Sequence, residues 1–250
     1  GKFVAIAGFE WATDPSQGHA NILYSDDTTN FSNGYPLLKM YKWLSKHPDA
    51  LMGFNHPNEE SDKKLVFNHF AYVPQIASQT IYVATNVPLD FPFYYMALDN
   101  GWWVAPSAQE DNHGDNWGSA PSGDVTGVYA NELTFAAIKD ALLNRRFYAT
   151  NDRAITLSLT GGGLPMGSRI SSDKTNLEIS VDHKKGVSIK SVKVISNKGV
   201  AVKEWTPNAA KFKENINVSA APGASNWHVA LVEMSDGKFA ISAPIILNNN

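Results

Sequence analysis

Near residue 150 the chain changes its rhythm. Before that point apolar runs alternate with stretches of helical spacing. After it, short strand-like segments follow one another between turn residues. A repeat of 3.6 and a repeat of 2 bury different faces, so this switch limits the available folds. "KFVAIAG" (residues 2–8) reads as a strand buried on both faces, and "ALMGFNHP", "TIYVATN" and "WWVAPSA" read as three more. Between them, "GYPLLKMYKWLSKHPD" sets Leu37, Leu38, Tyr41 and Leu44 on one helical stripe, with Pro36 suited to the first turn. "FPFYYMALDNG" is a short helix closed by Gly101, and "LTFAAIKDALLNRR" is a helix capped by Thr134, with Arg145 and Arg146 favourable at its negative end. Strand–helix alternation over 1–150 predicts an α/β domain with a mainly parallel sheet. Over 151–250, about seven segments such as "AITLSLTGGG", "TNLEISVDH" and "WHVALVEMSDG" predict an antiparallel β-sandwich.

Composition narrows the chemistry. A chain of 250 residues can bury one large core or two modest ones. The net charge of -3 supplies no basic face for nucleic acid or an anionic membrane. No apolar run approaches the ~20 residues of a membrane helix. Cysteine is absent, which removes disulfides, thiol nucleophiles and zinc–thiolate sites. No GxSxG, GxGxxG or GxxxxGK[ST] occurs, and the Gly-rich "TGGGLPMG" lies between strands, where it reads as a turn.

Three apolar runs of the first half end in metal-ligand residue types: "FVAIAGFE" at Glu10, "ALMGFNHP" at His56, and "WWVAPSAQEDNH" at Asp111 and His113. In parallel α/β sheets the C-terminal strand ends converge on one face. If a strand continues through Asp111 and His113, both side chains point the same way. Imidazole and carboxylate donors together suit Zn, Mn or Fe. His19 follows Glu10 by nine residues, beyond a Pro-containing loop that can turn it back. Two readings stand: a metal centre, or a surface acid, loop histidines and a solvated polar turn over "EDNHGDNWG". His69, among aromatics in "FNHFAYV", is either packed or a ligand. His47, at a helix end, and His183 and His228, in the second half, read as structural or solvated.

The stretches "GFEWATDPSQGHANIL", "GFNHP", "EDNH", "YANELTFAAIKDALLNRRFYAT" and "NWHVALVEMSDGKFAISAPIIL" together resemble the metal-dependent hydrolases of the PHP (polymerase and histidinol phosphatase) superfamily, above all its CehA/McbA-like branch. The resemblance covers nearly the whole chain. It implies a distorted (β/α)7 PHP-type barrel followed by an antiparallel β-sandwich, with a metal cluster at the strand ends. It implies Glu10 as bridging acid, with His19, His56, Asp111 and His113 as further ligands. The implied activity is hydrolysis of phosphate esters by a metal-activated water. Asn55 and Asn112 become candidates to orient ligands; Asp115, Asn116 and Trp117 become candidates to meet substrate, and Glu110 is set aside as a bystander.

The family's opening HxH motif occurs nowhere in the chain. The resemblance therefore implies an incomplete barrel, one or two metals rather than three, and three explanations: one part of a longer protein, a catalytically impaired form, or completion by another chain. An open sheet edge favours association, so a homo-oligomer or partner interface is expected at residues 3–9. A periplasmic or secreted location is the weaker association of a fused β-sandwich. The alternative function is a carbohydrate- or protein-binding module using Trp102, Trp103 and Trp117.

Overall fold

The computed structural model describes residues 2–12, 17–29, 36–58, 66–115, 118 and 123–249. The first sheet runs in the order β1 (Gly8–Ala12), β2 (His19–Leu23), β3 (Leu51–Asn55), β4 (Thr80–Ala84), β5 (Ala105–Ser107). β1 pairs antiparallel with β2, and β2 antiparallel with β3; only β3–β4 and β4–β5 are parallel. Residues 13–18 alone join β1 to β2. A parallel crossover needs about a dozen residues or more, so this pair closes as a hairpin.

Neighbouring rows of that sheet face opposite ways. Trp11, Ala20, Phe54 and Val83 are in register on one face. They share a core with Met40, Tyr41 and Leu44 of helix α1 (Leu37–Leu44), with Phe67 and Phe70 of the single turn α2 (Phe67–Phe70), and with Tyr94 and Leu98 of α3 (Phe91–Asp99). The α2 turn is left-handed, with φ of 47, 48, 53 and 54 at its four residues. Glu10, Asn21, Gly53 and Tyr82 are in register on the opposite face. Tyr82 there joins a second core, shared with the remainder of the chain.

That remainder is strand-rich: β6 (Val125–Val128), helix α4 (Phe135–Leu143), β7 (Phe147–Thr150), β8 (Ile155–Gly161), β9 (Leu164–Pro165), β10 (Arg169–Ile170), β11 (Lys174–His183), β12 (Ile189–Ser196), β13 (Val200–Trp205), β14 (Lys211–Ser219), β15 (Ser225–Met234), β16 (Phe239–Ser242) and β17 (Ile245–Asn248). Eight strands form one sheet, β10-β17-β15-β16-β7-β6 with β12 on β15 and β13 on β12. Four form another, β14-β11-β8-β9. Leu157, Leu159, Leu177 and Ile179 of the smaller sheet share a core with Val192, Val194, Ala230 and Val232 of the larger. Burying both inner faces in this way is what their alternating sequence requires.

The expected (β/α)7 PHP-type barrel, complete or incomplete, is not the fold. Among the described residues there are seventeen strands in three sheets and four helices. Two causes are visible. The β1–β2 hairpin replaces the first expected crossover. Beyond β5, β6 pairs with β7 and β7 with β16 rather than extending the parallel run. The second half also differs from a purely antiparallel sandwich, because β10 and β17 pair in parallel and the larger sheet takes in β6 and β7. The opening strand begins at Gly8; residues 2–7 carry no strand and Phe3 is 81% exposed. Ile6 packs against the second core and Val4 is half-buried, while Phe3, Ala5 and Ala7 are exposed.

Arg145 pins the two regions together. It lies just past the C-cap of α4, at φ 54, and is fully buried. Its Nε donates to Trp103 O at 2.8 Å, its Nη2 donates to Ser78 O and Thr80 O at 3.0 and 2.8 Å, and its guanidinium stacks 4.0 Å from the Trp103 ring. Burial, with Arg169 nearby, pulls its pKa down to about 9. Gly167 of the "TGGGLPMG" turn packs against the same place. A Cβ there would stand 2.2 Å from Asn144 O, so only glycine allows the turn to touch the end of α4.

Candidate metal centre

The hairpin and the end of β3 bring three of the expected ligands together. Glu10 faces the polar side of the sheet from β1. His19 opens β2 opposite Ala12 and in register with Asn55, the last residue of β3; His56 follows Asn55 directly. His56 Nε2 lies 3.4 Å from Glu10 Oε1, and His19 Nδ1 lies 3.6 Å from the same oxygen. The two imidazoles meet edge to face with centroids 4.9 Å apart. These separations exceed those of a charge-assisted N–H···O bond, about 2.7–2.9 Å. Ligand atoms on one tetrahedral zinc, with bonds of about 2.0–2.1 Å, stand roughly 3.4 Å apart. The donor set and its spacing therefore fit a divalent cation.

Asp111 and His113 arrive by another route. β5 ends at Ser107, and Asp111 sits at φ 45 in the loop that follows, so no strand carries the pair. This corrects the expectation that an extended chain aims both side chains alike; a left-handed residue breaks the alternation. Asp111 Oδ2 is 3.9 Å from His56 Nε2, and His113 Nδ1 lies 3.0 Å from Asp111 O. The His113 side chain is 80% exposed. The ligand-type atoms form two groups, Glu10–His19–His56 and Glu10–Asp111–His113, each with its atoms within 4.8 Å of one another. Glu10 belongs to both.

Asn55, expected to orient a ligand, and Asn21 and Gln109, which no sequence motif marked, hold this arrangement. Asn55 Nδ2 donates to Glu10 Oε1 at 2.8 Å, as a ligand-orienting residue should. Asn21 Nδ2 donates to Asn55 Oδ1 at 3.3 Å and to Gln109 Oε1 at 2.8 Å. Gln109 Nε2 reaches Ser107 Oγ at 3.3 Å, and its backbone N–H donates to Asn86 Oδ1 at 2.9 Å. Glu110, set aside from sequence, anchors the loop: its Oε2 accepts from Gly118 N at 2.8 Å, and Arg153 Nη2 reaches Glu110 Oε1 at 3.3 Å and Gly118 O at 2.6 Å. Asn112 turns the loop, its Oδ1 accepting from Gly114 N at 2.8 Å. The available signal was alternation: Asn21 lies two residues after His19 on β2, hence on the same face.

The neighbouring His19 and His56 imidazoles, followed by the Asn55 amide, hold the Glu10 carboxyl well below the usual carboxylate range, against the opposing effect of burial. Glu10 is an ionised donor near neutral pH. Tyr82 is the reverse case: burial pushes its phenol up to about 12, with the Asn21 and Gln109 amides opposing the rise.

Other expected residues fall elsewhere. Asp115 is exposed on the loop, while Asn116 and Trp117 lie outside the described residues. His69 is exposed in the left-handed turn and joins neither ligand group. Trp102 is buried and donates to Phe70 O at 2.7 Å; Trp103 donates to Gly167 O at 2.8 Å beneath Arg145. Both rings serve packing.

No family model and no curated protein matches the chain. Among solved structures, it is similar to the CARDB domain of a Pyrococcus furiosus protein in complex with di-metal ions, at 16% identity and TM-score 0.27, over 38% of this chain and 85% of that one. It is also similar to an engineered protein, at 13% identity and TM-score 0.25, over 37% of this chain and 20% of that one. Likenesses this slight carry no argument about fold or function. Among the described residues no helix is long and apolar enough to cross a membrane.

Proposed function

We propose that this chain is a metal-dependent hydrolase of phosphate esters, with Glu10, His19, His56, Asp111 and His113 holding one or two divalent cations of zinc, manganese or iron. The observation that carries the reading is the shared carboxylate. Two ligand groups meet at Glu10, and its 3.4 and 3.6 Å separations from His56 and His19 suit common coordination better than hydrogen bonding. The resemblance of "GHAN", "NHP" and "EDNH" to the PHP hydrolases supports the same chemistry, independently of the barrel that it wrongly implied.

When bound, such cations supply Lewis acidity and a water acidified toward neutral pH. The chain's own residues do the rest. Glu10 keeps its negative charge at the shared position, and the Asn55 amide fixes which oxygen faces the histidines. His19 and His56, on strand ends, form the firm side. Asp111 and His113, on the exposed loop, form the side that a substrate phosphate reaches, with Asp115 beside them.

Metal analysis of protein purified without chelator, followed by hydrolysis of p-nitrophenyl phosphate and its diester with added Mn or Zn, tests the proposal. One or two equivalents and turnover abolished by chelation are expected. Protein that binds none of these metals and turns over neither ester overturns it.

A further inference from the structure

The geometry points to Asn21 and Gln109 as positioning residues: with Asn55 they form a relay of side-chain amides that keeps the Asp111–His113 loop in register with Glu10, and so sets the spacing of the two ligand groups. This inference rests on the metal reading above and adds what couples its halves.

The relay has a direction. The Glu10 carboxylate only accepts, so the Asn55 amide must turn its nitrogen toward it, at 2.8 Å. That leaves Asn55 Oδ1 to accept from Asn21, whose nitrogen also donates to Gln109 Oε1 at 2.8 Å. Gln109 passes its own N–H to Ser107 Oγ, which lies 2.9 Å from Thr126 Oγ1; the Thr126 hydroxyl donates to Ala108 O at 3.0 Å. The relay begins at β1, on the sheet edge, and ends two residues before Asp111, across all five strands.

The floor of the relay is built to exclude water. A Cβ on Gly53 would stand 1.9 Å from the Tyr82 ring, so the ring crosses β3 where a side chain would otherwise rise. Tyr82 is buried, and its phenol faces the Asn21 and Gln109 amides. Asn55 is buried and Asn21 and Gln109 are half-buried over this ring, so amide bonds left unmade on that side leave polar groups poorly solvated. Among the described residues the Asp111 loop has no strand pairing of its own, and this layer, the Gln109 N–H on Asn86 and the Glu110–Gly118–Arg153 clasp help to locate it.

Manganese titration by calorimetry, with electron paramagnetic resonance of the loaded protein, tests the relay. Of the one or two equivalents the metal reading allows, the relay requires two with an exchange-coupled spectrum, and a single equivalent in the wild-type protein overturns the relay. Asn21→Ala and Gln109→Ala are expected to weaken the second equivalent by about 10–100-fold, leave the first within about twofold, and convert the spectrum to that of isolated ions. Gln109→Met keeps the volume while removing the amide, and covers an alanine variant that fails to fold. Tyr82→Phe is expected to give a smaller loss in the same direction. A merely structural role would weaken both equivalents together with the melting temperature. An unchanged second equivalent in Gln109→Met overturns the relay and leaves the metal reading standing. Wild-type protein that binds no manganese, zinc or iron overturns both.

Discussion

His56 and His183 are both buried histidines beside carboxylates, yet their surroundings differ in kind. His183 Nε2 meets Asp152 Oδ2 at 3.0 Å, while its Nδ1 accepts from the backbone N–H groups of Lys185 and Val187 at 3.3 and 3.1 Å. Every ring nitrogen has a partner at bonding distance, and the ring fastens the turn between β11 and β12. His56 Nε2 faces two carboxylates, Glu10 and Asp111, at 3.4 and 3.9 Å, both too far for a strong hydrogen bond. His228 completes the series: it is buried with no carboxylate, and burial takes its pKa down to about 4. Residue type therefore does not mark a site. Several carboxylates converging on imidazoles, at the spacing of shared coordination, does.

The sharpest way to break the contrast is Glu10→Gln, which keeps shape and the Asn55 contact but removes the shared charge. Loss of both metal equivalents, by more than about 100-fold in affinity, and of turnover is expected in metal titrations and ester assays, because a ligand matters more than its outer partners. Retention of both equivalents would show that Glu10 is not shared. His183→Ala should do the opposite: metal content unchanged, stability lower by about 3 kcal/mol, because the buried ring's bonds to Asp152, Lys185 N and Val187 N are lost. Thermal melting should show a drop of roughly 10 °C, and a change in metal content instead would erase the distinction.

His228 gives a pH signature. Its folded pKa of about 4 lies below the usual 6.5. Above pH 6.5 it is neutral in both states. As pH falls from 6.5 toward 4 the unfolded chain takes up a proton that the folded one refuses, and stability declines. His228→Leu should remove about 3 kcal/mol of that decline, read from urea midpoints across the window; an identical acid limb in the variant refutes the assignment. The smallest effect is expected for His113→Ala. An exposed ligand on a loop should cost the second equivalent about tenfold and leave melting unchanged, since its side chain is 80% exposed. Destabilisation there would place His113 with His183 among the fold-holding histidines.

Much of this was readable locally. The helices at Leu37–Leu44, Phe91–Asp99 and Phe135–Leu143 and the strands at Leu51–Asn55 and Thr80–Ala84 fall where periodicity places them, and Thr134 caps α4 through Ala137 N at 3.3 Å. Glu10 and His56 were identifiable because each ends an apolar run, and His19 because it follows Glu10 by nine residues, beyond a Pro-containing loop that can turn it back. Asn21 and Gln109 were not, because an amide becomes notable only once its neighbours across four strands are known. Residues 2–7 were misread for a related reason: a run apolar on both faces becomes a buried strand only when neighbouring strands pair with it and layers pack on both sides.

Local sequence alone determined the three longer helices, the Thr134 cap, the strands at Leu51–Asn55 and Thr80–Ala84, and the residue types available for metal chemistry, because 3.6- and 2-residue periodicities act within one turn or one strand. It also contained, in the six-residue β1–β2 connection, the reason the first pair is antiparallel. Tertiary structure alone decided that β6 and β7 join the larger sheet, that Arg145 is buried among carbonyls, that Tyr82 lies across Gly53, and that a loop rather than a strand delivers Asp111 and His113. Those outcomes depend on which distant surfaces bury one another, and strand pairing between residues far apart in sequence leaves no periodic trace in either partner.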